Sequence, residues 1–197
     1  MTVKHIIYFI LAAAVVFAVV KFYPRKSEIR YPPGELVKNY PVLRKLKKEK
    51  KWTKEDFEIT AVRRLEMKAR VLGKENYSND DVSDISPCDL AVGWGPLSNQ
   101  KILDCIEFSQ SQRALSWSVK NAVSSDKEIE LHSSDMLVIP SSEKIEYALD
   151  SVETGNIVYV QGYLVNIKKG CMHWNTSTRW DDLYSEIVWI EKLKIIR

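Results

Sequence analysis

Side chains able to carry out acid–base or nucleophilic chemistry are concentrated in one short stretch, IELHSSDMLVIP, which contains His132, Ser133 and Asp135. A serine nucleophile needs a histidine base that a carboxylate orients. Neighbours in sequence generally point apart, so the base for Ser133 is expected from elsewhere in the chain. His173 is the candidate, with Asp135 or Glu186 as the orienting acid. These residues define a hydrolase hypothesis.

The same stretch also has a structural explanation. His132 at the end of a short helix interacts favourably with the helix dipole and can cap free carbonyl groups. Ser133, Ser134 and Asp135 can bond to nearby backbone and turn the chain into a buried strand, MLVI. The sequence favours this explanation over catalysis, so no catalytic residue is assigned and enzymatic activity stays open.

Aromatic and charged side chains suggest two ligand-stacking surfaces. The segment HWNTSTRWDD offers Trp174, Arg179, Trp180 and Asp181 as a groove for a sugar, a base or an aromatic side chain of a peptide. Trp94, between two glycines, is a second stacking candidate. The alternative is that Trp94 and Trp174 fill the core while Arg179 and Asp181 form an exposed pair of little energetic weight.

A dense basic run follows the first proline-containing stretch. It consists of six cationic residues: Arg44, Lys45, Lys47, Lys48, Lys50 and Lys51. Such a run can contact anionic lipid head groups, at about 1 kcal/mol per basic residue, bind nucleic acid, or serve as a solvated tether. A hydrophobic segment nearby favours lipid over nucleic acid.

Sequence motifs for nucleotide, metal and esterase chemistry are absent. The chain has no GxxxxGK[ST], no GxGxxG after a strand, no HExxH and no GxSxG. Its three cysteines show no CxxC spacing, and the acidic loop NYSNDDVSD lacks the pattern of an EF-hand. We therefore expect neither a metal nor a cofactor.

The N-terminus carries the strongest signal. Residues 6–20 are fifteen uninterrupted apolar residues, and the run extends to residue 23 if Lys21 snorkels. A spanning helix needs about 17 to 25 residues, so residues 1–23 are predicted to form one membrane anchor; a cleaved signal is the alternative. Flanking positive charge favours a cytoplasmic domain, whereas a short basic tail before a long domain is typical of an exported signal anchor.

The net charge of +3 hides an uneven distribution. Residues 21–54 hold 12 Lys/Arg against 3 Asp/Glu, and residues 55–197 hold 16 against 23. A mildly acidic domain is a poor partner for nucleic acid phosphates. No nucleic acid is therefore expected as a partner.

Hydrophobic periodicity divides the rest of the chain into a proline-containing basic linker at 24–54 and a domain at 55–197. Alternation and turn residues predict the following elements: a strand from Leu65 to Gly73, a helix at 86–92, a short helix capped by Ser98, a hairpin at 105–119, a helix near 127–132, a helix at 142–152, a strand at 157–167 bent at Gly162, and strands at 171–178 and 186–196. The predicted fold is α+β, mainly short antiparallel strands in a small, partly closed OB-like barrel with a few short helices.

Several motifs resemble a family of uncharacterised bacterial proteins with an N-terminal membrane segment: YPPGEL, KARVLGKENY, DISPCDLAVGWGPLS, IEFSQSQR, HSSDMLVIP, GYLV and HWNTSTRWD. In that family HSxxMxxIP and GWGxMS recur; here Leu97 replaces the Met, and LYSEIVWI replaces a run containing Gly and Cys. The resemblance implies an envelope protein anchored once in the inner membrane, with its domain more often outside the cytoplasm, and no established activity.

These observations predict a single-pass, membrane-tethered binding or accessory protein of the bacterial envelope that contacts protein or envelope components without catalysis. The alternative is a membrane-anchored hydrolase that uses His132 or His173 with a nearby Ser or Asp. A third hypothesis is a lipid sensor that uses the basic run.

Overall fold

The computed structural model describes residues 5, 8, 28–121, 123–178 and 186–196. Of the predicted membrane anchor at 1–23, only His5 and Tyr8 are described, so that prediction lies outside the described residues. In the described part of the chain, none of the helices has the length and apolar character that crossing a membrane requires.

Strands dominate the described part of the chain. They are β1 (Val42–Arg44), β2 (Lys51–Lys54), β3 (Phe57–Asn76), β4 (Cys88–Gly93), β5 (Ile106–Ser111), β6 (Ala114–Val119), β7 (Ser133–Pro140), β8 (Ile157–Lys169), β9 (Met172–Trp174) and β10 (Glu186–Ile195). The helices are α1 (Gln100–Leu103), α2 (Asp126–His132) and α3 (Glu143–Asp150), with a 3-10 turn at Gly95–Ser98. The prediction of a mainly stranded domain with a few short helices is confirmed at this level.

Five strands pair in a circuit that makes the sheet partly ring-like. The order is β3-β4-β7-β10-β8, and β8 pairs back to β3. All of these pairs are antiparallel except β7 with β10. One edge of β3 pairs with β8, while its other edge pairs in turn with β2, β1 and β4. The β1–β2 connection therefore arches beside β3.

The long strand β3 bends at two irregularities of register, between Ala61 and Arg63 and between Val71 and Gly73. An extra residue in one strand reverses which face the following side chains occupy. Accordingly, Phe57 belongs to a different hydrophobic cluster from Leu65. Gly73, predicted to end the strand, instead lies within it.

The circuit encloses a hydrophobic core. Its largest cluster combines Leu65 of β3, Leu90 of β4, Val138 of β7 and Val188 of β10. Helix α3, which contributes Leu149 to the same cluster, packs against β7 and β10. The β5–β6 hairpin forms a separate two-stranded sheet that contacts β3 and β7.

The segment from Glu28 to Pro41 is held against the domain by three consecutive polar side chains. Ser98 Oγ accepts hydrogen bonds from the amides of Leu36 and Val37, each at 3.0 Å. The Asn99 side chain accepts from the Gly34 amide, and that of Gln100 from the Tyr31 amide. The linker predicted at 24–54 must be corrected, because residues 28–54 pack on the domain and include β1 and β2.

A fully buried arginine strengthens the same attachment. Arg70 of β3 donates to the carbonyl oxygen of Ile29 at 3.2 Å and to Gln100 Oε1 at 2.5 Å. Its guanidinium also lies 3.8 Å from a carboxylate oxygen of Glu28 and 5.2 Å from the ring of Tyr31. Arg70 therefore ties the segment that begins at Glu28 to strand β3.

Two local predictions differ from the structure. The helix predicted at 86–92 is strand β4, because both of its edges pair, with β3 and β7. These pairings override the local capping pattern of Ser86 and Pro87. The short helix α1 is capped by Asn99, whose side chain accepts from the amide of Lys101, rather than by Ser98.

Candidate functional site

His132 is the last residue of α2, and both of its ring nitrogens are engaged. Nδ1 lies 2.8 Å from the carbonyl oxygen of Glu128, so it must carry the proton and donate. In the neutral imidazole, Nε2 then accepts a hydrogen bond from the Tyr40 hydroxyl, at 2.6 Å. A Cβ on Gly95 would lie 2.9 Å from His132 Cδ2, so the ring is tightly enclosed on that side as well. This geometry links a helix end to the N-terminal segment.

The other candidate catalytic residues do not converge on His132. Ser133 Oγ donates to the Ile129 carbonyl at 2.7 Å, and the side chain of Asp135 bonds to Gln110. His173 is exposed on β9, where it is paired with Lys168, and its side chain forms no hydrogen bond or ion pair with any described residue. Glu186, the alternative orienting acid, accepts a hydrogen bond from Ser134. The described residues therefore show no serine–histidine–acid arrangement.

The stacking candidates are separated in the structure. Trp94 has an exposed fraction of 0% and belongs to the largest hydrophobic cluster, which leaves no ring face for a ligand. Trp174 is partly buried and packs on the hydrophobic cluster that contains Trp189. The predictions for Arg179, Trp180 and Asp181 lie outside the described residues.

A buried charge cluster, which the sequence did not single out, attaches the β5–β6 hairpin to the large sheet. Gln112 and Arg113 form its turn with φ of 51° and 62°. The Arg113 guanidinium donates to both oxygens of Asp80, at 2.8 and 3.0 Å. It also donates to Asp89 Oδ1 at 2.6 Å and to the Ser86 carbonyl at 2.9 Å. We call this set of contacts the Arg113 latch.

Two carboxyl groups beneath the latch have shifted acidities. The register pairs Asp89 with Leu137 and Ala91 with Asp135, so both acids lie on one face of neighbouring strands. Burial raises the pKa of Asp89 to about 7, although Arg113 opposes the shift. Burial likewise raises the pKa of Asp135 to about 6, opposed by the hydrogen bond from Gln110. One guanidinium thus interacts with several carboxyl groups, and the two buried ones, Asp89 and Asp135, hold their protons to a higher pH than an exposed aspartate does.

The Arg113 latch and the neighbouring Gln110–Asp135 hydrogen bond join motifs that are far apart in the sequence. DISPCDL supplies Asp89, IEFSQSQR supplies Gln110 and Arg113, and HSSDMLVIP supplies Asp135. The Arg113 amide donates to the Tyr77 hydroxyl at 3.0 Å, which adds the KARVLGKENY motif. These contacts give the motifs a shared structural role in placing the hairpin.

A second feature is a surface cavity of about 600 Å³ beside β3, which we call the basic groove. Its lining is cationic with two apolar members: Arg44, Lys45, Leu46, Lys47, Lys48, Lys50, Arg64 and Tyr163. Most of these residues come from the β1–β2 connection. β1 and β2 both pair with β3, and the Ala61 amide donates to the Lys50 carbonyl at 3.0 Å. The connection is therefore fixed at both ends and near the β3 bulge.

Tyr163 is the aromatic residue of the groove lining, and it belongs to a row of packed rings. Lys50 Nζ lies 4.5 Å from the centroid of the Tyr163 ring. Trp52 of β2 packs beside Tyr163 at 5.4 Å and stacks on Trp189 of β10 at 4.8 Å between centroids. Lys50 thus makes a cation–π contact with Tyr163, and Trp52 connects the Tyr163 ring to Trp189.

The positive charge of the groove is only partly neutralised. Arg44 lies 3.3 Å from Glu66, and Lys50 lies 3.7 Å from Glu191, both as exposed pairs. The remaining cations of the groove have no acidic partner within 4.0 Å in the part of the chain that the structure describes; they are Lys45, Lys47, Lys48 and Arg64. The groove is therefore a net cationic surface.

The basic residues predicted from the sequence fall mostly on this surface. Five of the six line the groove, while Lys51 pairs with Glu49 at 2.7 Å and lines a neighbouring depression beside Trp52. The sequence does not indicate that Arg64 belongs to this surface, because Arg64 lies 13 residues after Lys51 and only the pairing of β3 with β1 brings it beside the basic run. A metal site has no support among the described residues, where no three His, Cys, Asp or Glu side chains are grouped.

Comparison of the chain with protein families, with curated proteins and with solved structures finds no match. The geometry of the domain and the chemistry of its surface therefore carry the functional conclusion.

Proposed function

We propose that the protein is a single-pass, membrane-tethered binding module of the bacterial cell envelope, built on an OB-like barrel and acting without catalysis. The observation that carries this proposal is the basic groove. Its volume of about 600 Å³ falls within the range of ligand sites, about 300 to 1,000 Å³. It combines charged side chains for an anionic group with Leu46 and Tyr163 for an apolar one.

The strand circuit supports the OB-like assignment. An OB fold is a five-stranded, partly open Greek-key barrel that binds ligands on its surface. Here β3, β4, β7, β10 and β8 follow such a circuit, and α3 lies between β7 and β8 in the sequence. The β5–β6 hairpin is an insertion between β4 and β7.

The hydrophobic segment supports membrane tethering. Only residues 24–27 separate the predicted anchor from Glu28, where the described domain begins. A fully extended chain of four residues spans at most about 14 Å. The attachment of residues 28–41 to the barrel thus shortens the effective linker and keeps the domain close to the bilayer. The resemblance to envelope proteins favours the periplasmic side of the inner membrane as the location of the domain.

Membrane extraction and a topology reporter test this proposal. We expect the full chain to stay in the membrane fraction after alkaline carbonate extraction, and a matched chain that begins at Glu28 to be released. A C-terminal alkaline phosphatase fusion should be active, and a C-terminal fusion to a cytoplasm-dependent fluorescent protein dark. Release of the full chain by carbonate would contradict the tether, and the reverse reporter pattern would contradict the periplasmic side.

A further inference from the structure

We infer that the basic groove binds the phosphate-bearing head group of an anionic phospholipid in the membrane to which the chain is tethered, because cations that have no acidic partner among the described residues lie there beside Leu46 and Tyr163. This inference rests on the proposed function and names its ligand.

The cations suit a phosphate diester. Lys45, Lys47 and Lys48 are exposed on the β1–β2 connection, where flexible ammonium groups act as adaptable point charges. Arg64 projects from β3, whose pairing with β1 and β8 holds its backbone. An arginine on a rigid strand can donate two parallel hydrogen bonds to one phosphate. One oriented guanidinium and several mobile ammonium groups thus face the same cavity.

The apolar lining favours a lipid over a free phosphate. Leu46 and Tyr163 line the cavity together with the cations. Leu46 and Trp52 pack on the same hydrophobic cluster as Trp189. A small phosphate ester has no group that would use this wall, whereas the glycerol and the upper acyl carbons of a lipid would. Aromatic side chains are also favoured at the interface between head groups and acyl chains.

Charge distribution argues against nucleic acid as the occupant. Residues 55–197 contain 23 Asp/Glu against 16 Lys/Arg, so the excess of positive charge lies before residue 55, in the part of the chain that supplies most of the groove lining. Nucleic acid binding relies on a basic surface that follows several phosphates of the backbone. A single compact cavity on an acidic domain suits one head group better than a polymer.

Position along β3 is compatible with contact to the bilayer. Arg70 holds Ile29, close to the point where the chain leads towards the anchor. Arg64 of the groove lies six residues before Arg70 on the same strand, which is about 20 Å at the usual rise of a strand. A domain that lies with β3 along the membrane surface presents both the tether and the groove to the lipid.

Ligand binding to the full chain in dodecylmaltoside micelles tests the inference. Microscale thermophoresis would compare dioctanoyl phosphatidylglycerol, dioctanoyl phosphatidylcholine, glycerol 1-phosphate and a twelve-residue oligothymidylate. We expect saturable binding that is tightest for phosphatidylglycerol and that weakens as salt is raised. A groove variant with K45Q, K47Q, K48Q and R64Q should bind phosphatidylglycerol at least about 30-fold more weakly, since each basic residue near a lipid surface contributes about fivefold.

A matched variant controls for net charge. K101Q, K127Q, K144Q and K194Q remove the same number of charges from exposed positions outside the groove lining, and binding should stay within about twofold of the unchanged chain. Circular dichroism and melting establish that both variants fold. If the groove variant does not fold, a variant with K47E and K48E replaces it. Both positions are exposed on the β1–β2 connection, and this pair should weaken the binding of phosphatidylglycerol at least tenfold.

Each contrary outcome has a separate meaning. Equal weakening in both variants, equal affinity for phosphatidylcholine, or no binding of any ligand would overturn the inference. Tighter binding of glycerol 1-phosphate would identify a free phosphate ester, and tighter binding of the oligonucleotide would identify nucleic acid; either overturns the lipid. The carbonate and reporter experiments do not depend on these titrations. The proposed membrane tether can therefore be correct even if the proposed lipid ligand is wrong.

Discussion

The Arg113 latch should make the stability of this domain depend on one side chain, to an extent that changes with pH. The change is Arg113→Met, which keeps most of the apolar stem and removes the guanidinium. The Arg113 side chain is only 10% exposed and that of Asp89 only 1%, so the pair is shielded from water. Removing one partner of such a pair leaves a buried charge and costs about 3 to 5 kcal/mol.

The cost depends on whether the acids keep their charge. At pH 8, above the raised pKa values of about 7 for Asp89 and about 6 for Asp135, both are ionised in the unchanged protein, and both lose the attraction of the Arg113 charge. We expect the full cost of about 3 to 5 kcal/mol there. At pH 5 both acids hold protons, so the loss falls to a neutral hydrogen bond, about 1 kcal/mol. The partly exposed pair with Asp80 adds up to about 1 kcal/mol.

The assay is urea unfolding of the full chain in micelles, followed by tryptophan fluorescence at pH 5 and pH 8. Arg30→Met is the matched control, because Arg30 forms an ion pair with Asp104 at 2.5 Å but is 57% exposed. It should cost no more than about 1 kcal/mol at either pH. Two results would contradict the conclusion that the Arg113 latch stabilises the domain in a pH-dependent way. One is that Arg113→Met lowers the free energy of unfolding equally at both pH values, and the other is that it lowers this free energy by under about 1 kcal/mol at pH 8.

Three further changes have defined outcomes. The folded-state pKa of Asp135 is raised to about 6, so the folded state binds this proton more tightly than the unfolded chain does. The resulting stabilisation is lost as pH rises from about 4 to 6. Asp135→Asn should remove up to about 3 kcal/mol of that pH dependence, measured by unfolding titrations at several pH values. Gly95→Ala should lower the free energy of unfolding by about 1 to 3 kcal/mol, because Gly95 has φ of 54° and a Cβ there would lie 2.9 Å from His132; an unchanged melting curve would contradict this. Ser98→Ala removes the acceptor of two backbone amides and should cost about 1 to 3 kcal/mol; limited trypsin digestion should then cleave the N-terminal segment sooner, and unaltered digestion would show that this acceptor is dispensable.

Local sequence signals predicted several elements because neighbouring residues dictate them. The alternation of Ile106 and Phe108 with Trp117 and Val119 across a polar turn gave the β5–β6 hairpin, and Gly162 sits within the long strand β8 as expected. Strand β4 was predicted as a helix, because its capping pattern is local whereas its two pairing partners are distant. The same holds for the segment 28–41, whose prolines suggest a free linker but whose amides are bound by Ser98, Asn99 and Gln100.

The sequence by itself determined the uneven charge, the hydrophobic N-terminus, the basic run and the lack of catalytic motifs, because composition and short spacing fix these properties. Only the tertiary structure decided which side chains meet. It separated His132 from His173, buried Trp94, joined Arg113 to Asp89, and brought Arg64 beside the basic run. Each of these outcomes depends on strand pairing between residues far apart in the chain, and short-range patterns carry no information about such pairing.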